Sequence, residues 1–335
     1  MFTGGFAEGD TVHGGRLAEA RRLFPDAPGP IVDLSTGINP VAYPVPDLPA
    51  QAWTRLPEPS DLAALEAVAA AAYGARPQQV VAAPGTQILI SLLPRIVPLR
   101  TVAIVGPTYG EHAAAWAQAG AKVAEIGSPD EAAGYDGVVL CNPNNPDGRR
   151  TDPAVLAALA RDLASARGLL VVDEAFADPE DGPLSLIPDL PHEGVVVLRS
   201  FGKTYGLAGL RLGFAVAGGG IAAAVREALG PWAVSGPAIE IGRRALADGA
   251  WLEATRERLR RDCERLDGLL NGAGLRVAGG TRLFRLAEGP DAPAVFDRLG
   301  RAGIFVRRFA YRADRLRFGI PGGEAEWERL AAALG

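Results

Sequence analysis

Short apolar runs alternate with alanine-rich stretches of helical period along most of this chain, and that alternation constrains its fold more than any other feature. The runs Val80–Ala83, Thr101–Val105, Lys122–Ile126, Gly137–Leu140, Leu169–Val172, Val195–Leu198 and Leu212–Val216 all have strand length. Between them, Ser60–Tyr73, Thr86–Ile96, Gly110–Ala119 and Asp152–Ala166 read as helices, with Ser60 and Asp152 as candidate caps. A strand buried on both faces reads as a continuous apolar run, and a mostly parallel sheet covered by helices provides two buried faces. The expected fold class is therefore α/β with a mostly parallel seven-stranded sheet. After Val216 the rhythm changes to a charged helical stretch, Trp251–Leu270, and then to strand-like pieces at Leu275–Val277, Leu283–Leu286, Ile304–Arg307 and Leu316–Phe318. These predict a smaller C-terminal α+β domain. Residues 28–59 are rich in proline and poor in periodicity, which predicts an extended arm packed over another surface. The division expected is an arm over 1–50, a large domain over 51–248 and a small domain over 249–335. With 335 residues, 48% of them hydrophobic, the chain has apolar material for a large core and a companion.

Several function classes are disfavoured. Only 22% of residues are charged, the net charge is −5, and no run of Lys or Arg forms the footprint of a nucleic-acid binder. Cys141 and Cys263 are the only cysteines and lie far apart, so neither a disulfide framework nor a metal site is expected, and a reducing cytoplasm fits. The first ten residues lack a basic, apolar leader pattern, and no apolar stretch reaches membrane-spanning length. A soluble, cytoplasmic protein without membrane or nucleic-acid partners is expected.

The segment with the most chemistry is Ser200-Phe-Gly-Lys203-Thr-Tyr-Gly-Leu-Ala-Gly-Leu-Arg211, directly after the run Val195–Leu198. Groups just past the carboxyl end of a strand in an open α/β sheet face the ligand crevice. A lysine there with few charged neighbours can be desolvated and serve as a Schiff-base amine. Ser200 and Arg211 can hold a phosphate by hydroxyl and guanidinium contacts. Pro84-Gly85-Thr86-Gln87 lies between a strand and a helix, so its amides form a second phosphate-binding element. Asp173 ends the run Leu169–Val172, and Tyr109 follows the run Thr101–Val105. His112, one helical turn beyond Tyr109, is read as structural.

Ser-x-x-Lys with Arg eight residues on, closing in Gly-Leu-Arg-Leu-Gly-Phe, resembles the cofactor-lysine segment of class I/II aminotransferases and their fold-type-I relatives. Cys141-Asn-Pro-Asn-Asn145-Pro-Asp-Gly148 is similar to that family's Asn-Pro-x-Gly turn, and Leu169-Leu-Val-Val-Asp173-Glu-Ala-Phe176 to its aspartate-bearing strand. The resemblance implies the fold-type-I architecture and pyridoxal 5′-phosphate as cofactor. It places the Schiff base on Lys203, Asp173 at the pyridine nitrogen, Asn145 at the phenolic oxygen and Tyr109 against the ring. A carboxylate beside the ring nitrogen keeps it protonated as an electron sink. It also casts Gly85, Thr86, Gln87, Ser200 and Arg211 as cofactor-binding residues, and Arg307 and Arg317 as grips on an anionic substrate.

The N-terminal segments choose within the family. His13-Gly14-Gly15-Arg16-Leu17 and Asp33-Leu-Ser-Thr-Gly-Ile-Asn39-Pro40 look like the opening of threonine-phosphate decarboxylases, which implies substrate contacts at His13, Gly14 and Asn39. Phe176 stands where many aminotransferases have a tyrosine and Leu56 where histidinol-phosphate aminotransferases usually have one, and both departures weaken a transaminase reading. The reaction implied is decarboxylation of L-threonine O-3-phosphate by a homodimer. A histidinol-phosphate-type aminotransferase is the alternative. A cofactor-sensing regulatory domain is the remote one, disfavoured because no basic winged helix-turn-helix precedes the arm.

Overall fold

The computed structural model describes residues 14–190 and 193–335, and contacts gather them into two units. The larger comprises Tyr43–Asn145 and Arg150–Leu252; the smaller joins 14–42 to Pro146–Arg149 and Glu253–Gly335. In chain order, β1 (Val32–Leu34) belongs to the smaller unit. The larger holds β2 (Val80–Ala83), β3 (Thr101–Val105), β4 (Lys122–Ile126), β5 (Gly137–Cys141), β6 (Leu169–Asp173), β7 (Val195–Ser200) and β8 (Gly213–Ala217).

These seven strands form one sheet in the order β2-β8-β7-β6-β5-β3-β4. Only β8 runs against its neighbours; the other adjacent pairs are parallel. Successive side chains point to opposite faces, so Val138, Leu140, Leu170 and Val172 enter one core layer while Val139, Leu169 and Val171 enter the other. Two buried faces explain the uninterrupted apolar runs, and full burial of each Val or Leu stabilises by about 1.5–3 kcal/mol. The strands β5, β6 and β7 continue past their apolar runs to Cys141, Asp173 and Ser200, which places polar side chains at the sheet's carboxyl edge.

Asp152 caps helix Pro153–Ser165 as expected, its carboxylate accepting from the Ala154 amide at 2.7 Å. Ser60 does not cap its helix. That helix spans Pro59–Tyr73 with Glu58 at the cap position, because Pro59 brings a pre-set φ and no amide to satisfy at the first helical position.

The smaller unit contains β9 (Arg276–Thr281), β10 (Phe284–Glu288), β11 (Ile304–Arg308) and β12 (Arg315–Gly319), in the sheet order β1-β11-β12-β10-β9. Part of the proline-rich segment is thus a strand: β1 pairs in parallel with β11, Val32 opposite Ile304. Among the described residues no helix is long and apolar enough to cross a membrane.

Candidate active site

Lys203 lies in the short helix Phe201–Thr204 that follows β7 without a break. Phe201 stacks on Tyr205 at 4.4 Å, and Tyr205 on Trp251 at 5.4 Å, so the turn bearing the lysine is anchored from beneath by aromatic packing. The Lys203 side chain is half-buried, with Nζ 5.0 Å from the centroid of the buried Phe176 ring. The sequence holds one other lysine, Lys122, exposed on the edge strand β4. Lys203 alone of the two has a partly desolvated amine.

Asp173, the last residue of β6, is held on both oxygens. Oδ1 accepts from the Ala175 amide at 3.0 Å, and Oδ2 lies 3.0 Å from Nε2 of His112, on helix Gly110–Gln118. Both side chains are buried. Burial alone would lower the His112 pKa, but the hydrogen bond to Asp173, together with Cys141, outweighs it and raises the imidazole to about 10. That shift favours the imidazolium form at neutral pH, beside Asp173. The sequence read His112 as structural; the structure pairs it with Asp173, and its spacing, three positions after the cap residue Tyr109, is the local signal of that placement.

At the end of β2, Gly85 takes φ +86, a backbone region that side chains rarely tolerate, and caps helix Thr86–Ile96. A Cβ on Gly85 would stand 2.7 Å from Nη2 of Arg211, so glycine is what lets the guanidinium approach the helix N-terminus. Arg211 itself adopts φ 55, and its Nη1 donates to the Ala208 carbonyl at 3.2 Å. Gly213 packs equally tightly, since a Cβ there would stand 2.7 Å from the Thr86 amide, and Gly213 is the register partner of Ser200. The N-terminus of helix Thr86–Ile96 and the Arg211 guanidinium are thereby brought together, with Ser200 on the strand beside Gly213. That cradle fits a phosphate monoester, and with Lys203 and Asp173 on the adjacent strand ends it fits pyridoxal phosphate.

Tyr109 donates its hydroxyl to Gln87 Oε1 at 3.1 Å, and Gln87 Nε2 donates to Glu111 at 3.3 Å, so the ring is fixed from the Gly85 loop. In the segment after β5, Asn142 donates to the Thr151 and Leu184 carbonyls and accepts from the Thr151 amide. Asn144 bridges the Pro107 carbonyl and the Thr108 hydroxyl. Both are buried framework groups, whereas Asn145 is half-buried.

In the smaller unit, Arg307 and Arg317 are direct register partners on β11 and β12. Arg317 is 3% exposed, donates to the Ser35 carbonyl at 2.8 Å, and lies 4.8 Å from the centre of the Phe284 ring. Burial, then the like charge of Arg307, lowers its pKa to about 9. Ser35 also ties in the N-terminal segment. Its hydroxyl donates to Asp33 at 2.6 Å and accepts the Gly15 amide at 2.8 Å, and a Cβ on Gly14 would stand 2.3 Å from the Ser35 carbonyl oxygen. Gly14 and Arg317 thus share one neighbour. Asn39, also buried, accepts from the Val41 amide and from Arg258. His13 lies outside the described residues. Leu56 is 63% exposed.

The family model for aminotransferase class I and II matches residues 41–334. The chain is 44% identical over 326 residues to a threonine-phosphate decarboxylase of Pseudomonas aeruginosa, covering 96% of each. It is 31% identical over 306 residues to a histidinol-phosphate aminotransferase of Xylella fastidiosa, covering 82% of this chain and 81% of that one. The fold matches the crystal structure of a histidinol-phosphate aminotransferase from Sinorhizobium meliloti in complex with pyridoxal-5′-phosphate, with a TM-score of 0.85 at 21% identity over 99% of this chain and 98% of that one.

Proposed function

The chain belongs to the class I and II aminotransferase family, and from that membership we propose that it is a pyridoxal-phosphate-dependent decarboxylase. Its substrate is L-threonine O-3-phosphate and its product (R)-1-amino-2-propanol O-2-phosphate, a component of cobalamin biosynthesis. The observation that carries this reading is the 44% identity to a threonine-phosphate decarboxylase across 96% of both chains. Phe176 beside the Lys203 amine agrees with it, because no phenol stands there to share the cofactor's oxygen.

Pyridoxal phosphate supplies a conjugated ring that, protonated at nitrogen, stabilises negative charge developing at the substrate's Cα. The chain's residues do the rest. Gly85, Thr86, Ser200 and Arg211 would hold the cofactor phosphate, and Lys203 would hold the cofactor covalently through its amine. Asp173, fixed by His112 and the Ala175 amide, would keep a proton on the ring nitrogen. Tyr109, steadied by Gln87, would pack against the ring, and Asn145 would donate to the phenolic oxygen. Arg317 and Arg307 would bind the substrate's anionic groups, with His13, Gly14 and Asn39 as the further contacts that the sequence resemblance implies. Gripping phosphate and carboxylate remote from Cα selects which bond is presented for cleavage, so binding energy is used for reaction choice. Lys203 then returns a proton to Cα.

The enzyme would work as a homodimer, a reading supported by the exposed apolar side chains of Val45, Trp53, Leu56 and Trp232, and the scarcity of cysteine fits a cytoplasmic location. Purified protein with cofactor and L-threonine O-3-phosphate should release carbon dioxide and the phosphorylated amine. Turnover of histidinol phosphate that depends on 2-oxoglutarate, without carbon dioxide release, would move the assignment to the aminotransferases.

A further inference from the structure

Cys141 and Asp173 are direct register partners on β5 and β6, and partners on adjacent parallel strands send their side chains to the same face of the sheet. Into that face comes His112. The Cys141 sulfur, a His112 ring nitrogen and an Asp173 oxygen lie within 4.8 Å of one another, and all three side chains are buried. A charged imidazolium removed from water must be supported by the groups that touch it. Asp173 supports one nitrogen at 3.0 Å, and the ring of Tyr109, the residue that caps the same helix, meets the imidazole edge-on at 6.0 Å between centroids. The Cys141 sulfur is a further polar atom within 4.8 Å of the imidazole nitrogen. A thiol sulfur is a weak acceptor, and a weak acceptor counts for more where water is excluded.

We propose that Cys141 is a positioning residue for the reaction: its sulfur, within 4.8 Å of the imidazole nitrogen, stabilises the His112 imidazolium and holds His112 as the charged partner that aims the Asp173 carboxylate at the cofactor's ring nitrogen. The inference rests on the pyridoxal-phosphate reading of the site. Its action is indirect, through His112 to Asp173. Loss of the sulfur leaves desolvation less opposed, so the imidazolium gives up its proton at lower pH and the carboxylate loses the cation that fixes it.

The test is a pH titration of histidine-labelled holoenzyme by NMR, with the cofactor's visible absorbance followed over the same range. The sequence has only three histidines, so His112→Asn assigns the signal. In the wild type His112 stays protonated through neutral pH. In Cys141→Ala its midpoint falls by about one pH unit, a tenfold change in the proton-binding constant, and the absorbance midpoint moves with it. Cys141→Ser, which keeps an acceptor, stays closer to wild type in both. Should the alanine variant fail to fold, Cys141→Val against Cys141→Ser makes the same comparison. Equal His112 midpoints in wild type and Cys141→Ala overturn the proposal, as do equal shifts in the serine and alanine variants, since a cavity would then be the cause. Protein without cofactor absorbance would sink the pyridoxal-phosphate reading instead, while the His112 titration would still report on Cys141.

Discussion

The two candidate anion-binding regions of this molecule are built on opposite electrostatic plans. At the carboxyl edge of the large sheet, polar groups are fixed in complementary contacts: Asp173 with His112, Tyr109 with Gln87, Asn144 with Thr108. In the small sheet, Arg307 and Arg317 stand side by side on adjacent strands, and burial with like-charge repulsion lowers Arg317 to about 9. A carboxylate raises its partner in the first region; a second cation depresses its neighbour in the second. The first plan suits a resident group whose orientation must not vary. The second suits a ligand that comes and goes, because an arriving phosphate or carboxylate relieves the repulsion while it is bound.

The comparison breaks most visibly at Lys203. Replacing it with alanine should abolish covalent cofactor attachment and lower turnover by at least about 10²–10⁴-fold through loss of its proton-transfer role alone, as single-turnover kinetics would show. Asp173→Asn is next: cofactor stays bound, while kcat falls by about 10²–10³-fold, the scale of losing one oriented charge at a reacting group. Equal kcat in that variant would remove Asp173 from the ring nitrogen.

Substitutions in the small sheet should act on substrate choice. Losing one charge-assisted hydrogen bond to a phosphate costs about 1.5–3 kcal/mol, so Arg317→Ala or Arg307→Ala should narrow the preference for phosphorylated over free threonine by about 10–100-fold in kcat/KM. A uniform loss on both substrates would show that the arginine contacts something other than the phosphate.

The last effect concerns stability and not turnover. His112 is raised from 6.5 to about 10 in the folded chain, so the folded state holds the proton more tightly than the unfolded one. Its contribution is fully present below about pH 6.5 and is lost as pH rises through about 10. Denaturant titrations of His112→Asn against wild type should therefore differ most at pH 6 and converge above pH 10; a gap that widens with pH would contradict the ion pair.

The sheet was legible in the sequence because burial on both faces writes itself as apolar runs, and Val80–Ala83 and Thr101–Val105 were bounded correctly to the residue. Arg199 shows where that signal stops. It lies buried inside β7 because Glu174 accepts from its Nη1 at 2.6 Å and Asp178 pairs with its Nη2, partners more than twenty residues away that no local pattern reveals. The same holds for His112, whose meaning depends on a strand 61 residues further on. The strand β1 is only three residues long, too short for a period to register. The lysine segment, by contrast, was legible because its chemistry is local: Ser200, Lys203 and Arg211 share one strand end and the turn that follows.

The account's central claim is that Lys203 carries the cofactor, and the chain's two lysines make a direct measurement possible. Purified holoenzyme is reduced with borohydride, digested with trypsin and mapped by mass spectrometry. Modification blocks cleavage after Lys203, so the account predicts a pyridoxyl-phosphate adduct on the peptide spanning residues 200–211, at one adduct per chain. An adduct on Lys122, or an unmodified peptide from protein that was yellow before reduction, would contradict it.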